Sequence, residues 1–198
     1  MPNLYHYDVK NCYYVPGVRN SDGSVTFDNS SVTREPGLMS MDMQAQGDVE
    51  KLRADGIDYI VFVSNNGYTG TLNFVKVSEQ FKLDNLGETA DLTTGIQYED
   101  ADSVPTPFAL LGEFKGDAEG IRFIFYNCTA SRPNIAGDNK DNQKQPDTES
   151  LSVTASPLPV TIDGVEKSIV RGGITKSQNA ATYNSWFNGV TLPGVATS

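Results

Sequence analysis

The residues able to do chemistry are few and poorly spaced for it. Glu99, Asp100 and Asp102 form the densest carboxylate group. Paired carboxylates suggest glycoside hydrolysis, and a dense acidic loop suggests calcium. A calcium loop of the EF-hand type also needs glycine at its sixth position and a bidentate Glu at its twelfth, and both are missing here. An acidic solvated turn is therefore expected. Cys12, Cys128 and the single histidine, His6, cannot build a tetrahedral zinc site, and two distant cysteines in a reducing compartment read as small buried hydrophobes. There is no Gly-x-Ser-x-Gly elbow, no Gly-Lys-Ser/Thr phosphate loop and no His-Glu-x-x-His pair. No catalytic residue, cofactor or metal is expected, and His6 is assigned to a surface or interface.

With 198 residues, 38% hydrophobic and 20% charged, the chain can bury one large β domain spanning 1–198. A formal net charge of −10 argues against an exterior that grips nucleic acid or an anionic membrane. It leaves room for a path along which DNA slides without sticking. The start, Met1-Pro2-Asn3-Leu4-Tyr5, lacks the basic and apolar regions of a secretory signal, so synthesis in the cytosol is expected. No apolar stretch nears the roughly 20 residues of a membrane span.

Strand periodicity dominates. Tyr5, Tyr7, Val9, Tyr13 and Val15 alternate until Pro16-Gly17, and a protruding hairpin or loop near 16–37 is expected around the turn Asn20-Ser21-Asp22-Gly23. Met39, Met41, Met43 and Ala45 alternate with Ser40, Asp42, Gln44 and Gln46, giving one apolar and one polar face. Ile57, Tyr59, Val61 and Val63 on one face and Ile60 and Phe62 on the other leave neither side suited to water. That strand is expected to be covered on both faces by a sheet, a helix or another copy. Asn65-Asn66-Gly67 reads as a hairpin turn leading to Leu72, Phe74, Val75 and Val77.

A short helix follows Ser78 and ends at Gly87. The runs about Phe108–Phe114 and Ile121–Ser131 are apolar on both faces and should be central strands. A long polar loop near 132–147 separates them from Leu151, Val153 and Ala155, which alternate with Ser150, Ser152, Thr154 and Ser156. Val160–Ile162 and Val165–Val170 are expected to pair across Asp163-Gly164, and a C-terminal helix near 179–189 is capped by Asn179.

Three blocks carry a family likeness: Ser64-Asn65-Asn66-Gly67-Tyr68-Thr69-Gly70, then Pro107-Phe108-Ala109-Leu110, then Phe125-Tyr126-Asn127-Cys128-Thr129-Ala130-Ser131-Arg132-Pro133 followed by Leu151 to Pro157. In this order and spacing, and with the ending Thr182-Tyr183-Asn184-Ser185-Trp186, the chain resembles the major tail proteins, or tail tube proteins, of siphophages of Gram-positive bacteria. The resemblance implies a mainly β fold, a two-sheet β-sandwich or barrel of the phage tail tube type with a short flanking α-helix and a C-terminal helix. It implies homohexameric rings stacked into a hollow tube in the virion, assembled in the host bacterial cytoplasm. The implied partners are other copies of itself, the tape measure protein, the tail terminator and distal tail or initiator proteins. The resemblance also implies that phage DNA passes through the lumen without specific binding.

Within that expectation the row Ser40, Asp42, Gln44, Gln46 or the row Ser150, Ser152, Thr154, Ser156 lines the channel. Asn20, Asp22, Phe27, Asn134, Ile135, Asp138, Lys140 and Asp141 are candidates for contact between subunits or rings. The alternative is a β-sandwich binding module for carbohydrate or host-surface adhesion, with Tyr5, Tyr7, Tyr13 and Tyr14 as a stacking platform.

Overall fold

A computed structural model describes residues 3–116, 118–135, 137 and 147–194. The chain is mainly β. Strands β1 (His6–Arg19), β2 (Val25–Phe27), β3 (Thr33–Arg34), β4 (Leu38–Gln46), β5 (Val49–Ala54), β6 (Ile57–Val63) and β7 (Gly67–Phe74) precede helix α1 (Glu79–Asn85). Then come β8 (Glu88–Ala90), β9 (Gln97–Glu99), β10 (Phe108–Gly116), β11 (Ile121–Ala130), β12 (Glu149–Ala155), β13 (Leu158–Ile162), β14 (Val165–Ile169), β15 (Arg171–Thr175) and helix α2 (Ala180–Ser185).

The two layers expected as separate sheets are one antiparallel sheet in the order β2-β1-β10-β11-β12-β7-β4, with β15 on β11 and β3 on β1. Only Glu35, Pro36 and Gly37 separate β3, paired to β1, from β4 at the far end of that path, so the sheet curls back toward its own start. Inside the curl lie Tyr14, Leu72, Phe74, Phe81, Phe108, Leu110, Phe125, Leu151 and Val153. Outside, against β1, β10 and β11, sits a second cluster of Val15, Ala109, Leu111, Ile124, Tyr126, Leu158 and Trp186. Strands β10 and β11 are buried on both faces because they separate the two clusters, as their sequence requires.

The outer cluster is closed by the β13–β14 hairpin and the C-terminal segment. Asp163 (φ 51°) and Gly164 (φ 76°) form the two-residue turn with positive φ that strand twist favours. Asn179 caps α2 by accepting from Thr182 N at 3.1 Å. Arg122 then fastens α2 to the sheet: its guanidinium lies 3.9 Å from the Tyr183 ring centre and 4.6 Å from that of Phe187, and it donates to the Tyr183 carbonyl. Ser78 caps α1, accepting from Phe81 N at 3.1 Å, and Gly87 (φ 77°) ends it.

Three local expectations need correcting. Pro16-Gly17, expected to break or bend the strand, does not break β1, which continues to Arg19 and pairs there with β2; Pro16 needs no amide in this ladder, and Gly17 N bonds to Pro107 O at 2.8 Å. The β1–β2 hairpin is not wholly a protrusion, since Val25, Phe27 and Val32 pack on the outer cluster. Asn65-Asn66-Gly67 is no hairpin turn either, because β6 pairs with β5 and not with β7. The turn is Asp55-Gly56, with φ 53° and 80°.

Candidate functional site

The two polar rows named from sequence share one sheet face. Strand β7 lies between β4 and β12, and its register sets Asn73 opposite Ser40 and Ser150, Thr71 opposite Asp42 and Ser152, and Thr69 opposite Gln44 and Thr154. Three strands thus present a lattice of hydroxyls and amides, extended by Thr129 opposite Thr154 on β11. Asn73 Nδ2 donates to Ser40 Oγ at 2.8 Å, and Ser150 Oγ donates to Asn73 Oδ1 at 2.5 Å. Among the residues of this lattice, Asp42 is the single charged group.

Thr69, Thr71 and Asn73 were missed by the sequence reading although they alternate with Gly70, Leu72 and Phe74. In the sequence, only the apolar half of the strand stands out. Gln46, opposite Gly67, ends the β4 row, and Ser156 lies past the end of β12 with its amide bonded to Asn127 O. The apolar row on β4 also needs correcting. A bulge between Leu38 and Ser40 removes Met39 from the alternation, so Leu38 packs inward while Met39 is exposed.

The second feature grows from the same strands. Past Gln46 and Gly67 the β4–β7 ladder continues, with Asn66 N bonded to Gln46 O at 2.9 Å and Ser64 N to Asp48 O at 3.0 Å, into the β5–β6 pair. Residues 38–74 therefore make one long bent hairpin whose distal half, β5–β6, stands clear of the curled sheet. At the bend Gly47 sits so close to the Ser64 carbonyl that a side chain would collide with it.

This arm carries the residues expected to be covered on both faces, and within the chain neither face is. Every residue of β6 is exposed, Val63 at 75% and Phe62 at 56%. Register places Val49 with Val63 and Lys51 with Val61 on one face, and Glu50 with Phe62 and Leu52 with Ile60 on the other. Asp58 accepts from Lys51 Nζ at 2.8 Å and pairs with Arg53 Nε at 3.0 Å, surface contacts worth under about 1 kcal/mol. Covering a large apolar side chain is worth about 1.5–3 kcal/mol. The arm's free energy is therefore dominated by apolar surface left in water.

The remaining candidates are scattered. Asn20 bonds to Ser24 and Thr26, and Asp22 accepts from Ser24, which lowers its pKa; both serve their own exposed turn. Phe27 is half-buried against its own chain. Asn134 and Ile135 are exposed, while Asp138, Lys140 and Asp141 lie outside the described residues. The four-tyrosine platform is split: Tyr5 and Tyr7 are exposed, Tyr13 stacks on Phe187, and Tyr14 is buried and donates to Asp84 Oδ2 at 2.8 Å. Glu99 pairs with Arg132, and the Asp100 carboxylate accepts from Asp102 N within an exposed turn.

Both cysteines are buried free thiols. Desolvation, then the charge of Glu35, pushes Cys12 up to about 12, and burial raises Cys128 further, so neither supplies a thiolate nucleophile. Glu35 itself is buried at the β3–β4 link. It accepts from Ser78 N at 2.7 Å and Ser78 Oγ at 2.5 Å, while Glu149 accepts from the neighbouring Val77 N at 3.0 Å. Desolvation raises the Glu35 pKa against the opposing pull of Ser78, and the Glu149 charge adds to the rise.

Among the described residues no group of three or more His, Cys, Asp or Glu could hold a metal ion, and no helix is long and apolar enough to cross a membrane. A scan against models of protein families and a search of curated proteins each returned no match.

Proposed function

We propose that this chain is a structural virion protein, the subunit of a hollow tail tube of the siphophage type. Its activity is self-association into hexameric rings that stack. The observation that carries this reading is the β5–β6 arm, apolar on both faces and exposed, beside a curled sheet whose two hydrophobic clusters are buried. A monomer that kept this arm in water would leave about eight large apolar side chains exposed, at about 1.5–3 kcal/mol each, and association of identical copies removes that cost. A second support is β4, a nine-residue edge strand without lysine or proline, the kind of edge that accepts a further strand.

In this reading the β4–β7–β12 polar face lines the channel. Hydroxyls, amides and Asp42 without Lys or Arg give passing phosphates no strong site, since phosphate affinity comes mainly from cations that release counterions. The tape measure protein, tail terminator and initiator are the further partners of such a tube. Sedimentation velocity across a concentration series, with and without preformed tail-initiator complex as seed, tests the reading. Growth from monomer to closed oligomers and tubes is expected. A strict monomer under all of these conditions overturns it and favours the adhesion-module alternative, which now rests on Tyr5 and Tyr7 alone.

A further inference from the structure

The sequence contains two Asn-Gly pairs, Asn66-Gly67 and Asn188-Gly189. An asparagine followed by glycine can be attacked by its own chain, because the next backbone nitrogen reaches the side-chain carbonyl carbon in a five-membered ring and glycine has no Cβ to obstruct it. Asn66 lies where the arm leaves the curled sheet. Its side chain is exposed, and its own amide is anchored to Gln46 O at 2.9 Å. The attacking group, Gly67 N, donates at 3.1 Å to Asn65 Oδ1, an exposed side-chain acceptor and not a carbonyl of the ladder. Rotation of one surface side chain breaks that hydrogen bond, while Gly67 itself is buried and in register with Gln46 of β4. Gly67 also has φ 101°, a conformation that any other residue would adopt only under strain.

The second pair is held differently. The next amide, Val190 N, donates to Asn29 Oδ1 at 2.8 Å, so that backbone is pinned just after the pair; a Cβ would be crowded at both glycines, by Asn29 at Gly189 and by the Ala155 carbonyl at Gly67. Asn65 is disfavoured because the residue after it, Asn66, carries a side chain.

We propose that Asn66 is a site of spontaneous covalent modification, passing through a succinimide to isoaspartate and aspartate. Gly67 N, having given its proton to hydroxide, forms a bond to Asn66 Cγ; the bond from Cγ to the side-chain nitrogen breaks, and that nitrogen leaves as ammonia after taking a proton from water. Water then adds to one of the two ring carbonyls. Opening one way gives aspartate, and opening the other way gives isoaspartate, whose main chain runs through the former side chain. No electrons are transferred, and water is the sole co-reactant. The products place a new negative charge at the arm's root, and isoaspartate inserts an extra methylene between the arm and the Gln46–Gly67 pairing. This inference goes beyond the assembly reading and stands without it.

The test incubates the purified full chain at neutral and mildly alkaline pH, maps peptides by mass, and detects isoaspartate by enzymatic methyl transfer. The Asn66 peptide should gain the amide-to-acid mass increment severalfold faster than the Asn188 peptide, at a rate proportional to hydroxide, with isoaspartate in excess. N66S should gain none at this position. An Asn66 that stays intact in the folded chain while the same chain in urea is modified there, or product formed chiefly at Asn188, overturns the proposal.

Discussion

Asn73 and Ser40 face each other across the β7–β4 pair with Asn73 Nδ2 2.8 Å from Ser40 Oγ. The same amide accepts from Ser150 on the opposite neighbour, so a single side chain ties three strands into one uncharged row. Asp42 faces Thr71, and Gln44 faces Thr69, at the next two positions along the same face.

If this face lines a conduit for DNA, adding cations to it should hold the passing phosphates. S152K combined with T154K leaves Leu151, Val153 and Ala155 packed inward, so folding should change by no more than about 0.5 kcal/mol. Particles built from this variant should eject DNA more slowly, and raising the salt should shorten the delay. Unchanged ejection kinetics at low salt would remove this face from the lumen.

Much of this was legible in the sequence. Period-two alternation located β4 and β12, two-sided apolarity placed β10 and β11 between layers, and Ser78, Gly87 and Asn179 marked helix ends. The arm shows where such reading stops. Ile57 to Val63 announced that both faces need cover, but periodicity describes a strand's faces and not what lies against them. Asn65-Asn66-Gly67 misled because its residues fit a hairpin turn, while the true turn, Asp55-Gly56, had an equal claim and better-matched flanks. That the two polar rows share a face follows only from β7 lying between them, a long-range pairing that no local pattern encodes.

Glu35 makes stability depend on pH. Its folded pKa is raised above the ordinary 4.5, so the folded chain binds this proton more tightly than the unfolded chain does. The ionised form therefore costs stability at neutral pH. That cost fades as the pH falls through the folded pKa, and it is gone below about 4.5. E35Q should be more stable than the parent at about pH 7–8 and should match it near about pH 4. Thermal melts across that range check this, and a variant equally destabilised at both ends would show that Glu35 is needed as a carboxylate.

Arg122 ties Glu113 (Nε to Oε2, 3.3 Å), Tyr183 and Phe187 into one fastening for the C-terminal cover. R122A leaves Glu113, only 6% exposed, with Lys10 and Asn11 as its remaining partners and removes the stacking on α2. A loss of about 3 kcal/mol is expected, near the low end for a broken buried pair because Lys10 stays. Denaturant titration measures it, and hydrogen exchange should rise first in α2. A loss under about 0.5 kcal/mol, the ordinary range for surface sites, would mean the cover is held elsewhere.

The arm is the most direct test of the whole account. Phe62→Ser with Val61→Asp alters two side chains that touch no part of the chain's own core, so the folded monomer should melt as the parent does. Negative-stain electron microscopy of both chains, concentrated and seeded with initiator complex, should show sixfold rings and tubes roughly 100 Å wide for the parent and only monomers for the variant. Tubes of ordinary width and length from the variant would contradict the claim that this exposed hairpin joins one copy to the next.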